Sequence, residues 1–130
     1  MTKFEELQNI IARLRAPGGC PWDREQTHFS LKAACIEEAA EVICGINILE
    51  DTGDSDNLKE ELGDLLLQVV MHAQIAEEEG LFTMDDIIQG ISEKMIRRHP
   101  HVFMDARTDG TAPSPRFWRG DGSRFERSAG

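Results

Sequence analysis

The stretch from Leu31 to Leu49, LKAACIEEAAEVICGINIL, constrains the fold more than any other part of the chain. Between its ends, the only strongly polar side chains are three carboxylates, Glu37, Glu38 and Glu41. At about 100° per residue they share one face of a helix, and apolar side chains cover the rest, so the helix is predicted to be buried nearly all round. Because a buried carboxylate is costly unless it is paired or bound to metal, these glutamates need a neutralising partner.

A second apolar helix, predicted from Asn57 to Glu79, carries two more acids on one face. Glu61 and Asp64 are three residues apart, and Gln68 and His72 continue the same polar stripe. An all-carboxylate site suits a hard cation, so the pattern predicts Mg²⁺, with Mn²⁺ as the alternative, rather than zinc. The competing interpretation, which stays open from spacing alone, is an ordinary solvated acidic face.

Composition limits the remaining choices. A chain of 130 residues suits one domain, and no apolar run approaches the ~20 residues needed to cross a bilayer. A net charge of −10 argues against nucleic acid or an anionic membrane as the main partner. Cys35 and Cys44 fit reduced thiols used as small apolar residues. With no zinc-type spacing and no signal-peptide pattern, the chain is predicted to be cytoplasmic.

Helical periodicity predicts four helices and no strand. The first begins at a capping box at Thr2, the two acidic helices follow, and the fourth runs from a capping box at Thr83 to about Arg98. The predicted fold is all-α, an antiparallel four-helix bundle. Two helices buried on every side require a homodimer, or a tetramer built from dimers, to complete the core. Residues 1–104 form the predicted domain, and residues 105–130 an irregular tail.

Three local features outside the acids carry alternatives. Trp22 lies in a predicted loop rich in Gly and Pro, where we expect it to plug the core, with stacking on a ligand ring as the alternative. Gly63 is costly inside a helix and predicts the close approach of another backbone. Lys94, Arg97 and Arg98 crowd the end of the fourth helix, where they either complement its dipole or bind phosphate oxygens.

The two acidic motifs resemble those of a known family. EEAAE at residues 37–41 and ELGD at residues 61–64 are similar to the paired EExxE and ExxD motifs of the MazG-type nucleoside triphosphate pyrophosphohydrolases. GGCPWDREQTHFSL, KEELGDLLLQVVMHAQIAEEEG and KMIRRHPHVF extend the resemblance over about residues 3–104. It implies an all-α dimer that uses Mg²⁺ to hydrolyse NTPs and dNTPs between the α and β phosphates, in nucleotide-pool house-cleaning.

The resemblance also implies roles for particular residues. It assigns Glu37 to the orientation or deprotonation of the attacking water. The implied metal ligands are Glu38, Glu41, Glu61 and Asp64. The implied substrate contacts are Lys94, Arg97 and Arg98 with the pyrophosphate, Trp22 with the base, and Lys59, Glu60 and Trp118 with ligand or metal water. The tail PRFWRGDGSRFERSAG keeps Trp118 but departs from the helical continuation usual in the family.

Two alternatives to a broad NTP pyrophosphohydrolase remain at this point. One is an enzyme of the same fold group with a narrow substrate, either dUTPase-like or phosphoribosyl-ATP pyrophosphatase-like. The other is a non-catalytic helical interaction module whose acids form only a solvated face. Mg²⁺ should raise the thermal stability of a metal-binding fold but not that of an interaction module.

Overall fold

The computed structural model describes residues 1–103, which are all-helical and contain no strand. The six helices of this part are α1 Lys3–Arg15, α2 Pro21–Glu25, α3 Lys32–Thr52, α4 Asp56–Glu78, α5 Met84–Arg98 and α6 Pro100–Phe103. The all-α prediction is confirmed for these residues, while the predicted tail with Trp118 lies outside them. None of the described helices has the length and apolar character that a membrane span requires. Met1–Ile87 forms one compact unit, and a second unit begins at Ile88.

Local capping fixes the starts of two long helices as predicted. The Thr2 hydroxyl accepts a hydrogen bond from the Glu5 backbone N–H at 3.1 Å, and the Glu5 carboxylate accepts one from the Thr2 N–H at 2.8 Å. Thr83 and Asp86 make the same reciprocal pair at 3.2 and 2.9 Å. Each box satisfies two N–H groups that the first helical turn leaves without a partner.

The segment between α1 and α3 differs from the prediction of an irregular loop. Pro21 opens the five-residue helix α2, which is compatible with proline because the first helical position needs no N–H donor. Trp22 lies in this helix and is 75% exposed, so the prediction that it plugs the core is wrong. Thr27 and Ser30 then exchange side-chain and backbone hydrogen bonds at 2.8 and 3.0 Å, which forms the turn that leads into α3.

The core of the first unit lies around the second half of α4 rather than around α3. Its buried members are Ile11, Leu31, Val70, Met71, Ala73, Ile75 and Met84. The prediction that the glutamate helix is buried nearly all round is wrong for the single chain. Gly45 is the buried residue of α3, and Ile36 and Ile43 are 73% and 57% exposed. Apolar residues on all sides of a helix favour burial of the helix, but the residues that bury it need not belong to the same chain.

Helices α3 and α4 pack against each other in antiparallel register. At one end of the pair the backbones approach closely, because a Cβ on Gly45 would lie 2.8 Å from Leu58 Cα. The corresponding prediction for Gly63 is wrong within this chain, since a Cβ there would meet no atom within 4 Å. The glycine that permits close packing of the helices is therefore Gly45 and not Gly63.

Candidate metal centre

Three carboxylates from α3 and α4 converge in the first unit. Glu38 of α3 and Glu61 and Asp64 of α4 each offer a ligand oxygen, and these oxygens lie within 4.8 Å of one another. All three side chains are partly buried. Within residues 1–103 this is the group of three or more Asp, Glu, His or Cys side chains that could hold an ion. We call these three residues the acidic cluster.

The helix geometry explains the convergence. Glu61 and Asp64 are three residues apart, so they lie on the same face of α4. The antiparallel register brings Glu38 opposite them, because Cys35 contacts Gln68 on one side and Gly45 meets Leu58 on the other. The cluster therefore occupies the middle of the α3–α4 interface.

The cluster is electrostatically unfavourable without a cation. Desolvation raises the pKa of Glu38, and the charges of Asp64, Glu41 and Glu37 raise it further. Desolvation likewise raises the pKa of Glu61, followed by the charges of Glu41, Asp64, Glu38 and Glu60. Every neighbouring charge behind these shifts is itself a carboxylate, so the ionised cluster favours a cation.

The remaining acids predicted for the site lie at its edge. Glu41 is exposed and is not one of the three converging side chains, although its charge affects the pKa of both Glu38 and Glu61. Glu37 is exposed, and its charge affects Glu38. The structure thus brings three of the four predicted ligands together, with the fourth and the predicted water-orienting glutamate close enough to act on them electrostatically.

The predicted substrate contacts are spread over several elements. Lys59 and Glu60 are exposed in the first half of α4, next to Glu61. Trp22 is exposed on α2. The three basic residues lie towards the end of α5, in the second unit, with Arg97 exposed and Lys94 and Arg98 partly buried. Trp118 falls outside the described residues.

Arg15 fixes the segment that carries α2 to the rest of the first unit. Its guanidinium donates to both carboxylate oxygens of Glu78 at 3.0 Å, and its Nη1 donates to the backbone oxygens of Asp23 at 2.6 Å and Gln26 at 3.0 Å. Only 7% of the Arg15 side chain is exposed, and its hydrogen bond holds the pKa of Glu78 below its usual range. The exposed Trp22 therefore lies in a segment that the hydrogen bonds of Arg15 hold in place.

A series of polar contacts lies beside the acidic cluster, and it joins the predicted polar stripe of Gln68 and His72 to Cys35 and His28, which the sequence pattern does not indicate. The sulfur of Cys35 lies 3.5 Å from Gln68 Oε1 and 3.4 Å from His72 Nε2. His72 Nδ1 in turn lies 2.8 Å from His28 Nδ1, and the two rings are stacked. Partial burial lowers the pKa of His72, and His28 lowers it further. Cys35 is therefore a hydrogen-bonding residue and not only the small apolar residue that was predicted.

Comparisons with known proteins agree in pointing to one family. The family described as MazG nucleotide pyrophosphohydrolase domain matches residues 26–103. The chain is 58% identical over 103 residues to the nucleoside triphosphate pyrophosphohydrolase/pyrophosphatase MazG of Thermotoga maritima, covering 79% of this chain and 39% of that protein. It is 44% identical over 119 residues to a nucleoside triphosphate pyrophosphohydrolase of Escherichia coli, covering 91% of this chain and 44% of that protein.

The chain is also similar to a protein of Bacillus subtilis named uncharacterized protein YabN. It is 57% identical over 105 residues, which are 81% of this chain and 21% of that protein. The chain therefore spans less than half the length of each of these three relatives.

Proposed function

Because the chain belongs to the MazG nucleotide pyrophosphohydrolase domain family, we propose that it hydrolyses nucleoside triphosphates at the α–β phosphate bond. Water adds across that anhydride bond, and the products are the nucleoside monophosphate and pyrophosphate. Both NTPs and dNTPs are proposed substrates, and the proposed role is house-cleaning of the nucleotide pool in the cytoplasm. The single observation that carries this proposal is the convergence of Glu38, Glu61 and Asp64.

The donor set of the acidic cluster fits a magnesium ion. Oxygen ligands lie about 2.0–2.1 Å from Mg²⁺, so ligands on opposite sides of the ion are about 4 Å apart. Carboxylate oxygens within 4.8 Å of one another need only small side-chain rotations to reach that spacing. The raised pKa values of Glu38 and Glu61 add an electrostatic reason to bind a divalent cation, and Mn²⁺ would suit the same ligands.

In the proposed mechanism, Glu38, Glu41, Glu61 and Asp64 hold the ion. When bound, Mg²⁺ would supply Lewis acidity at the phosphoryl group and would neutralise developing negative charge. Glu37 is the proposed group that orients the attacking water and accepts its proton, since it adjoins Glu38 and stays exposed to solvent. Positioning and charge neutralisation then carry most of the rate enhancement.

The proposed substrate contacts follow from charge and exposure. Lys94, Arg97 and Arg98 would bind the outgoing pyrophosphate. The guanidinium groups of Arg97 and Arg98 match phosphate oxygens in bidentate geometry, and the ammonium group of Lys94 adds a positive charge. The exposed ring of Trp22 is free to stack on a nucleobase, and the Arg15 anchor supports that role. Lys59, Glu60 and Trp118 remain proposed contacts to ligand or metal water.

The proposed assembly is a homodimer, or a tetramer built from dimers, in which partner subunits cover the apolar surface of α3. That surface includes Ile36 and Ile43, which the single chain leaves exposed. The dimer would complete an antiparallel bundle, with residues 1–104 as its helical domain and residues 105–130 as a tail.

A charge-neutral variant tests the proposed chemistry. Glu38→Gln keeps the side-chain size and one carbonyl oxygen but removes the ligand charge, so we expect turnover to fall by about a hundredfold or more. Circular dichroism should show unchanged helix content, and the Mg²⁺-induced rise in Tm should disappear. Release of pyrophosphate from the eight common NTPs and dNTPs provides the activity measurement.

Glu50→Gln is the matched control, because Glu50 is an exposed glutamate of the same helix outside the acidic cluster. It should keep both the turnover and the metal response of the wild type. Turnover confined to one nucleotide would favour a narrow-specificity enzyme. A wild-type protein with neither pyrophosphate release nor Mg²⁺ stabilisation would be an interaction module and would contradict the proposal.

A further inference from the structure

The contacts of Cys35 form the next layer of the interface that holds the acidic cluster. Cys35 precedes Glu38 by three residues on α3, and Gln68 follows Asp64 by four residues on α4, so each lies one helical turn from a proposed ligand on the same face. The distances from Cys35 Sγ are 3.5 Å to Gln68 Oε1 and 3.4 Å to His72 Nε2. The separation of the helices at this layer therefore affects the separation of Glu38 from Asp64.

The donors and acceptors of this layer fit in one consistent order. One assignment satisfies every contact: the Cys35 thiol donates to Gln68 Oε1, and its sulfur accepts from the Nε2–H of His72. A neutral His72 with that tautomer has an unprotonated Nδ1, which accepts from the Nδ1–H of His28 at 2.8 Å. In this assignment each proton lies between one donor and one acceptor, so the contacts among Cys35, Gln68, His72 and His28 reinforce one another.

The opposite end of the cluster is fixed by a different contact. Gly45 has no Cβ, and its backbone packs where a Cβ would lie 2.8 Å from Leu58 Cα and 3.1 Å from Leu58 N. Between this contact and the Cys35 layer lie carboxylates that repel one another when no cation is bound. Repulsion tends to separate α3 from α4, and the two flanking contacts oppose it.

We propose that Cys35, Gln68 and His72 are positioning residues that hold α3 and α4 at the separation at which the carboxylates converge on a divalent cation. The inference rests on the proposed function, because it assumes that the acidic cluster binds that ion. In this role the three side chains act through the ligands on α3 and α4 and not through contact with the metal or the nucleotide. They keep the ligands near their binding arrangement, so that less binding free energy is spent on ordering them.

The experiment is calorimetric titration of Mg²⁺ into the full chain without nucleotide. Gln68→Met keeps the side-chain length but removes the acceptor, and Cys35→Ala removes the sulfur, so each should raise the Kd for Mg²⁺ about tenfold. Cys35→Ser keeps a donor and an acceptor and should recover most of the affinity. If Gln68→Met does not fold, as judged by circular dichroism, Cys35→Ala provides the same test.

Val70→Ala separates positioning from a general loss of stability. Val70 is a fully buried core residue of α4, so the variant should lower Tm. Its Mg²⁺ Kd should stay within about twofold of the wild type, because a valine side chain takes no part in the polar contacts of Cys35. Equal weakening of Mg²⁺ binding in Val70→Ala and Gln68→Met would overturn the inference. So would wild-type affinity in both Gln68→Met and Cys35→Ala.

The outcome also distinguishes this inference from the proposed function. If the wild type binds Mg²⁺, Glu38→Gln does not, and both Gln68→Met and Cys35→Ala bind as the wild type does, only the positioning role fails. If the wild type binds no Mg²⁺, the proposed metal site fails and the positioning role fails with it.

Discussion

The carboxylates of Glu38, Glu61 and Asp64 repel one another in the absence of a cation, because no more than 4.8 Å separates their ligand oxygens. Folding also removes part of their solvation, which is the first cause of the raised pKa values of Glu38 and Glu61. We therefore expect a chain with neutral side chains at these positions to be more stable in the absence of a cation. Such a cost is typical of a site that is organised for a ligand.

The electrostatic cost of the acidic cluster predicts that a neutral side chain in place of Glu61 stabilises the fold. The pKa of Glu61 is higher in the folded protein than in the unfolded chain. The contribution of Glu61 to stability is therefore fully present below its unfolded pKa and is lost as pH rises through the folded pKa. Glu61→Gln cannot ionise, so in EDTA at about pH 7.5 it should have a higher Tm than the wild type. Near the ordinary pKa of glutamate and below it, the difference should disappear.

Added Mg²⁺ should reverse the order of the two proteins, because only the wild type retains the full ligand set. Thermal unfolding followed by circular dichroism, with and without EDTA, measures both effects. Glu50→Gln provides the control, since Glu50 lies outside the cluster, and its Tm difference from the wild type should not depend on Mg²⁺. A Tm difference for Glu61→Gln that stays constant with pH would show that the cluster charges are not coupled to folding.

Single-residue predictions from the sequence succeeded where the information was local. The i, i+3 spacing of Glu61 and Asp64 is enough to place them on one face. The acidic pattern of α3 gives Glu37, Glu38 and Glu41 as candidates, and only the family resemblance implies Glu38 as a ligand. The contacts of Cys35 could not be predicted, because its partners lie 33 and 37 residues away. Its spacing of three residues from Glu38 was the available signal, and its apolar neighbours concealed it.

At the scale of helices, the boundaries depend on residues that are close in sequence, whereas the packing depends on residues that are far apart in sequence. The capping boxes at Thr2 and Thr83 involve residues three apart, so the starts of α1 and α5 could be predicted. The antiparallel register of α3 and α4 depends on which helix surfaces can approach, and that is decided between distant residues. The prediction consequently assigned the close approach to Gly63 rather than to Gly45.

Paired glycine substitutions test this packing. Gly45→Ala places a Cβ 2.8 Å from the Leu58 backbone, and overpacking of this kind costs about 1–3 kcal/mol. The helix propensity of alanine returns only about 1 kcal/mol of that loss. Gly63→Ala adds a Cβ into open space, so it should gain about 1 kcal/mol of unfolding free energy.

Urea unfolding of the two variants gives both values. The comparison is well matched, because each change adds one methyl group inside a long helix of the same interface. Equal stabilisation by both substitutions would contradict the close contact at Gly45. Destabilisation by Gly63→Ala would mean that another backbone approaches Gly63 in the assembled protein, as the sequence alone predicted.

At the scale of the whole molecule, the single chain leaves much of its apolar helix surface exposed. On α3 the exposed residues include Ile36, Ile43 and Ile46, which recur at helical spacing. On α4 Leu62, Leu66 and Val69 recur in the same way. Contiguous apolar surface of this kind is characteristic of protein–protein interfaces. The pattern predicts burial on every side, and residues 1–103 of the single chain do not provide it, which supports the proposed dimer.

The proposed dimer makes a quantitative prediction for a charged substitution in this surface. Ile43 is 57% exposed in the single chain, so Ile43→Lys should leave the fold of one chain intact while placing an unpaired charge in the interface. Light scattering after size-exclusion chromatography should give the wild type a mass of at least twice 14.6 kDa and the variant a mass near 14.6 kDa. Glu50→Lys adds a lysine to an exposed, polar position of the same helix and should leave the assembly unchanged. A wild-type protein that elutes as a monomer, or an Ile43→Lys variant that assembles as the wild type does, would place the interface elsewhere or remove it.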